Sequence, residues 1–141
     1  MRGFTILELL VSISLIAIVS IALISAASGL RSTRQVDSAT KDVVKTLHIA
    51  KQRARNSGSP TAVTFTTSAR CFFLTTEQKH CLENGIDWEV TSTLGQREKN
   101  QQIIFYQNGS SSGGEVIIGK PKHRNEISVS WLTGAIKVQK R

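Results

Sequence analysis

The chain has 141 residues, with 18 Lys and Arg against 10 Asp and Glu, giving a formal net charge of +8. That length holds one folded domain plus an anchor or tail, and not two full cores. The positive balance excludes an acidic, self-repelling disordered chain, and two prolines with 20% charged residues exclude a low-complexity one.

The mean hydropathy of -0.09 is that of an ordinary soluble protein, yet the apolar residues gather at the start. From Leu9 to Leu30, 22 successive residues carry no charge. As a helix they cover about 33 Å, enough for the roughly 30 Å hydrocarbon core of a bilayer. One reading is a signal peptide, with Arg2 as the basic region and Ser25, Ala26, Ala27 and Ser28 as the small residues that follow. The stretch is longer than the roughly 7–15 apolar residues of such a segment. Glu8 also stands near its start, where a carboxylate costs on the order of 2–3 kcal/mol if it lies near the bilayer centre.

Gly3-Phe4-Thr5-Ile6-Leu7-Glu8-Leu9-Leu10, behind the short basic leader Met1-Arg2-Gly3, resembles the processing site of type IV prepilins and type II secretion pseudopilins. The resemblance implies that a prepilin peptidase cuts between Gly3 and Phe4 and methylates the new amino terminus of Phe4. Glu8 is then the fifth mature residue, the position at which that family keeps a glutamate. A carboxylate inside a bundle of apolar stems needs a cation, and the ammonium of Phe4, in the same chain or a neighbouring one, supplies it. Glu8 is accordingly read as an assembly residue.

Beyond Leu30 the pattern turns amphipathic. Val36, Ala39, Val43, Leu47, Ala50 and Ala54 recur at three- and four-residue spacing, which predicts a helix continuing to about Asn56 with this stripe packed on a head. Ser57-Gly58-Ser59-Pro60 ends it, with Gly as C-terminal cap and Pro as stop. Lys41, Lys45, Lys51, Arg53 and Arg55 read as a solvated helix face.

From Thr61 the period drops to two. Thr61–Thr67 and Arg70–Thr76, split by Ser68-Ala69, predict a hairpin, and Ile86–Ser92, Gln102–Tyr106 and Glu115–Ile118 predict further strands. Ile127, Val129 and Trp131 alternate with Ser128 and Ser130, which places Trp131 in the core, and Thr133-Gly134 turns the chain into Ala135–Gln139. About seven short strands packed on a helix make an α+β head with two small sheets. Within it, Phe105-Tyr106-Gln107-Asn108-Gly109, Gly113-Gly114-Glu115-Val116-Ile117-Ile118 and Gly134-Ala135-Ile136-Lys137-Val138 resemble the GspH/FimT branch of minor pilins and pseudopilins. The implied fold is the type IV pilin fold. Its expected parts are a leader at 1–3, a transmembrane or filament-core helix at 4–30, an amphipathic helix at 31–57 and a β-rich head at 58–141.

Cys71 and Cys81 are the only cysteines. A head exported across the inner membrane lies in an oxidising compartment, where a Cys71–Cys81 disulfide is expected. The rival is a metal site using His80, His48 or His123, but the spacing matches no zinc pattern, so neither metal nor cofactor is expected. Gly109-Ser110-Ser111-Ser112-Gly113 formally fits G-x-S-x-G. A strand follows it where the nucleophile elbow needs a helix, so no enzyme is expected.

Charge remains. Lys120, Lys122, Arg124, Lys137, Lys140 and Arg141 face a single acid, Glu126, in the last 22 residues, and some FimT-like minor pilins bind DNA through a basic C-terminal hairpin. The resemblance therefore implies a minor pilin that primes or caps a type IV pilus, with double-stranded DNA as a partner in natural transformation. The alternatives are a pseudopilin of type II secretion and a secreted binding protein with an ordinary signal peptide. Expected partners are other pilins or pseudopilins, the prepilin peptidase and the inner membrane, with the head in the periplasm and the assembled filament reaching the cell surface.

Overall fold

In the computed structural model, the described residues are 5–74, 78–92, 100–120 and 123–140, without the side chains of 21–32 and 120. The chain divides into two compact units, Met1–Arg34 and Gln35–Arg141. Helix α1 spans Ile6–Ser57. Thr5 opens it: its hydroxyl and carbonyl oxygens both accept the Glu8 N–H, at 3.3 and 3.1 Å, which satisfies a donor that a helix start otherwise leaves orphaned.

In the first unit, every Leu, Ile and Val from Ile6 to Val19 is exposed. The serines among them turn inward onto the helix backbone: Ser12 donates to the Glu8 carbonyl, Ser14 to Val11 and Ser20 to Ile16, each at 2.8 Å. Hydroxyls satisfied in this way leave an apolar exterior suited to lipid or to other apolar helices. Among the described residues no helix is long and apolar enough to cross a membrane, and the side chains of 21–32, which belong to the uncharged run, lie outside them.

In the second unit, the predicted stripe is the buried face. Val36, Val43, Leu47, Ala50 and Ala54 are at most 1% exposed, and Ala39 is 8%. Three of the six are alanines, so this buried face carries little side-chain bulk. The helix ends at Ser57, and Gly58 takes φ +66°, the left-handed conformation of a C-terminal glycine.

Eight strands follow among the described residues: β1 Thr61–Thr66, β2 Cys71–Phe73, β3 Lys79–Cys81, β4 Asp87–Ser92, β5 Asn100–Phe105, β6 Gly114–Lys120, β7 His123–Val129 and β8 Ile136–Lys140. They form two four-stranded sheets, β3-β2-β1-β5 and β4-β6-β7-β8, and every pairing is antiparallel. Phe65, Phe72, Ile103 and Phe105 from the first sheet meet Val116, Ile118 and Ile127 from the second in one core with the helix stripe. Burying each such side chain contributes about 1.5–3 kcal/mol.

Three expectations change. The first hairpin turns through residues 67–70, with Arg70 at φ +51°, rather than through Ser68-Ala69 alone, and residues 75–76 of its expected second strand lie outside the described residues. An eighth strand, β3, is present although Lys79, His80 and Cys81 are all exposed. Trp131 is not in the core: β7 ends at Val129, so Trp131 falls in the turn and is 69% exposed.

Candidate functional site

Gly3 and Phe4 lie outside the described residues, as do Lys122 and Arg141 and the side chain of Lys120. Glu8 is exposed in the first turn of α1. Thr5-Ile6-Leu7-Glu8 has the T-x-x-E spacing of a capping box, a signal present in the sequence that the reading of Glu8 passed over. A carboxylate there also suits the positive end of the helix dipole. The bonds formed there run from the Glu8 backbone N–H to Thr5, and the Glu8 carboxylate is exposed.

In the head, Cys71 and Cys81 form a disulfide between directly opposed residues of β2 and β3. His80 stacks on Phe72, with ring centroids 5.5 Å apart. Among the described residues no group of three or more His, Cys, Asp and Glu is placed to hold a metal. Ser111 is buried, and its hydroxyl donates to the Ser130 carbonyl at 2.9 Å while accepting the Gly113 N–H at 3.0 Å. Ser112 N–H donates to the Ile104 carbonyl at 2.8 Å, and its hydroxyl accepts the Ile104 N–H at 3.1 Å. The serine-glycine run is therefore a stitch joining β5 of one sheet to the end of β7 in the other, with no nucleophile in it.

That stitch supports the turn between β7 and β8. Ser111 N–H donates to the Trp131 carbonyl, and Gly134 N–H to the Ser130 carbonyl, at 2.9 and 2.8 Å. Lys51 reaches from α1 and donates to the carbonyls of Thr133 and Gly134, at 3.0 and 2.8 Å. Burial lowers the Lys51 pKa from its ordinary value, and Arg55 adds to the effect. Gly134 has φ +57°, and a Cβ on it would collide with the Gly109 carbonyl. The turn is thus held from several sides while it exposes Trp131 and Leu132, the latter 64% exposed. The lysine brace has no local sequence signal, because its partners are 82 and 83 residues away.

The described cationic candidates, Arg124, Lys137 and Lys140, do not share one surface. In β7, Asn125, Ile127 and Val129 face inward, so Arg124 and Glu126 face out. The register sets Ser128 opposite Lys137, and Asn125 opposite Lys140. Lys137 therefore points outward and Lys140 toward the helix side, where its ammonium pairs with Asp37 at 3.1 Å. Asp37 also accepts from Asn125 Nδ2 at 3.0 Å, and the same amide donates to the Thr40 hydroxyl at 3.0 Å. The bond from Asn125, then that from Lys140, hold the Asp37 carboxyl below its usual pKa. On the outer face, Glu89 and Glu126 flank Ile117, and Glu115 and Lys137 flank Ser128. Arg124 and Lys137 are thus interleaved with carboxylates.

Residues 1–24 match the prokaryotic N-terminal methylation motif. The type II secretion system protein H of Xanthomonas campestris pv. campestris is 24% identical over 139 residues, covering 97% of this chain and 82% of that protein. The minor pseudopilin EpsH from the type 2 secretion system of Vibrio cholerae shares the fold with a TM-score of 0.59 and 14% identity, covering 74% of this chain and 96% of that one. The type IV minor pilin FimU of Pseudomonas aeruginosa does so with a TM-score of 0.55 and 15% identity, covering 73% and 91%. With a methylation motif at one end and this two-sheet head at the other, the chain has the type IV pilin fold and is similar along nearly its whole length to a type II secretion protein H.

Proposed function

We propose that the chain is a minor, H-type subunit of a type II secretion pseudopilus. In this reading it is held in the inner membrane by residues 4–30 with its head in the periplasm. A prepilin peptidase processes it between Gly3 and Phe4, Phe4 is N-methylated, and Glu8 guides insertion among neighbouring subunits. The observation that carries the reading is the methylation motif at residues 1–24 together with a likeness to a type II secretion protein H along nearly the whole chain. The type IV pilus is the rival system, favoured by the likeness to FimU. Deleting the gene and restoring it in its own host separates them. The expected result is loss and recovery of extracellular enzyme secretion, with an N-methylated Phe4 start on the purified chain. Intact secretion with a pilus defect overturns the secretion reading, and a start near Ser28 overturns the filament reading altogether.

A second reading, capture of double-stranded DNA, rests on one observation: Trp131 is exposed at the turn leading to Lys137. The interleaved acids and the Lys140–Asp37 pair oppose it. If it holds, DNA affinity of the detergent-solubilised chain falls steeply with salt, and Lys137→Ala reduces the slope. Absence of binding at low salt removes it.

A further inference from the structure

Strand β8 ends the second sheet, and α1 runs beside it. Lys51 bonds Gly134 just before β8, and Asp37 bonds Lys140 at its far end. Fourteen residues of helix rise about 21 Å and six residues of strand about 20 Å, so the two elements lie antiparallel and matched in length. Between them is a groove of about 290 Å³. Val44 and Val138 supply its apolar surface, and Lys41, Lys45, Lys140 and Asp37 its charges. Val138 is 43% exposed. Both Asp37 oxygens already accept hydrogen bonds, from Asn125 and Lys140. With Lys140 paired to Asp37, the groove presents Lys41 and Lys45 as excess positive charge.

The edge beside the groove is in phase to accept a strand. Ser130 N–H donates to the Ala135 carbonyl. Alternation along an antiparallel ladder then turns the N–H and C=O of residues 137 and 139 toward β7, and those of Ile136, Val138 and Lys140 toward the open edge. Lysines on an edge strand ordinarily guard it against pairing. Here the guard is selective: β8 itself, Ile-Lys-Val-Gln-Lys, carries no acid, so two copies of β8 repel, whereas a strand bearing carboxylates is attracted.

We infer that β8 and the α1 face beside it receive an extended, acidic segment of a neighbouring filament subunit, which adds to the second sheet as a fifth strand. The inference rests on the filament reading, which is what brings a second subunit within reach of this groove. Main-chain bonds to Ile136, Val138 and Lys140 supply affinity, an aliphatic side chain covers Val44 and Val138, and flanking carboxylates meet Lys41 and Lys45.

The test is photo-crosslinking in cells that assemble the filament, with p-benzoylphenylalanine replacing Val138 in one full-length chain and Ile13 in another. The expected Val138 product is an adduct with another filament subunit, mapping by mass spectrometry to an extended acidic segment. Combining Lys41→Glu with Lys45→Glu should lower its yield by about tenfold while leaving the Ile13 adduct unchanged. An Ile13 adduct without one at Val138, a Val138 adduct with a non-filament protein or a basic segment, or a yield indifferent to the charge reversal overturns the groove alone. Loss of the Ile13 adduct as well overturns the filament reading with it.

Discussion

Asp37 shows how a single side chain joins the helix to the last strand. One oxygen accepts from Asn125, a buried amide at the start of the buried face of β7, and the other from Lys140. With its pKa held down in the folded state, Asp37 adds stability that is present above the ordinary carboxylate range and is lost as pH falls through about 4 and below. Asp37→Asn keeps the acceptor for Asn125 and removes the charge facing Lys140. It should lower stability by about 0.5–1 kcal/mol at pH 7, because Lys140 is largely exposed. The difference between variant and parent in urea melts should shrink as pH falls below the ordinary carboxylate range. A difference that stays constant with pH would show that the charge is not what matters. None of this was legible beforehand: Asp37 and Lys140 are 103 residues apart, and no local pattern links them. Trp131 failed for a related reason. Alternation alone ran the strand on to it, whereas the close packing of Gly134 on Gly109 and the Ser111 bonds end the ladder two residues earlier.

Among the elements, the helix was the most legible, since six positions at helical spacing reappear as its buried face. A packed stripe repeats one requirement many times, so the sequence displays it many times. Strand β3 displays nothing, because three exposed residues need no apolar alternation. It exists by pairing with β2 in register, where Cys71 meets Cys81. Removing that closure with Cys71→Ser and Cys81→Ser together should cost about 2–3 kcal/mol, the amount expected for closing a short loop. Phe72 is anchored against Phe65 and Trp88, so the loss should fall on β3 first. Hydrogen exchange should show faster exchange at Lys79–Cys81 while Thr61–Thr66 stays protected. Uniform loss of protection across the first sheet would mean that the disulfide holds the whole sheet, and not only its edge.

For the whole molecule, the mean hydropathy averages two units with opposite demands. Residues 6–19 expose every large apolar side chain, whereas the head buries its own in a closed core. The first demand is met only by lipid or by other subunits, and the uncharged run made it legible at once. Glu8 belongs to that scale, and its two roles can be separated. At the capping-box position a Glu side chain acts within its own helix, and Gln there serves comparably. As the partner of an ammonium on Phe4 it acts through charge, which Gln lacks. Glu8→Gln should therefore leave membrane insertion and the melting of the head unchanged while reducing recovery of the chain in sheared filaments by about tenfold or more, a loss of at least about 1.4 kcal/mol in incorporation. Glu8→Val should reduce it at least as much, since Val lacks the charge and any polar group as well. Recovery of Glu8→Gln at the parental level would assign Glu8 to helix capping alone and place the specificity of assembly elsewhere on the apolar face.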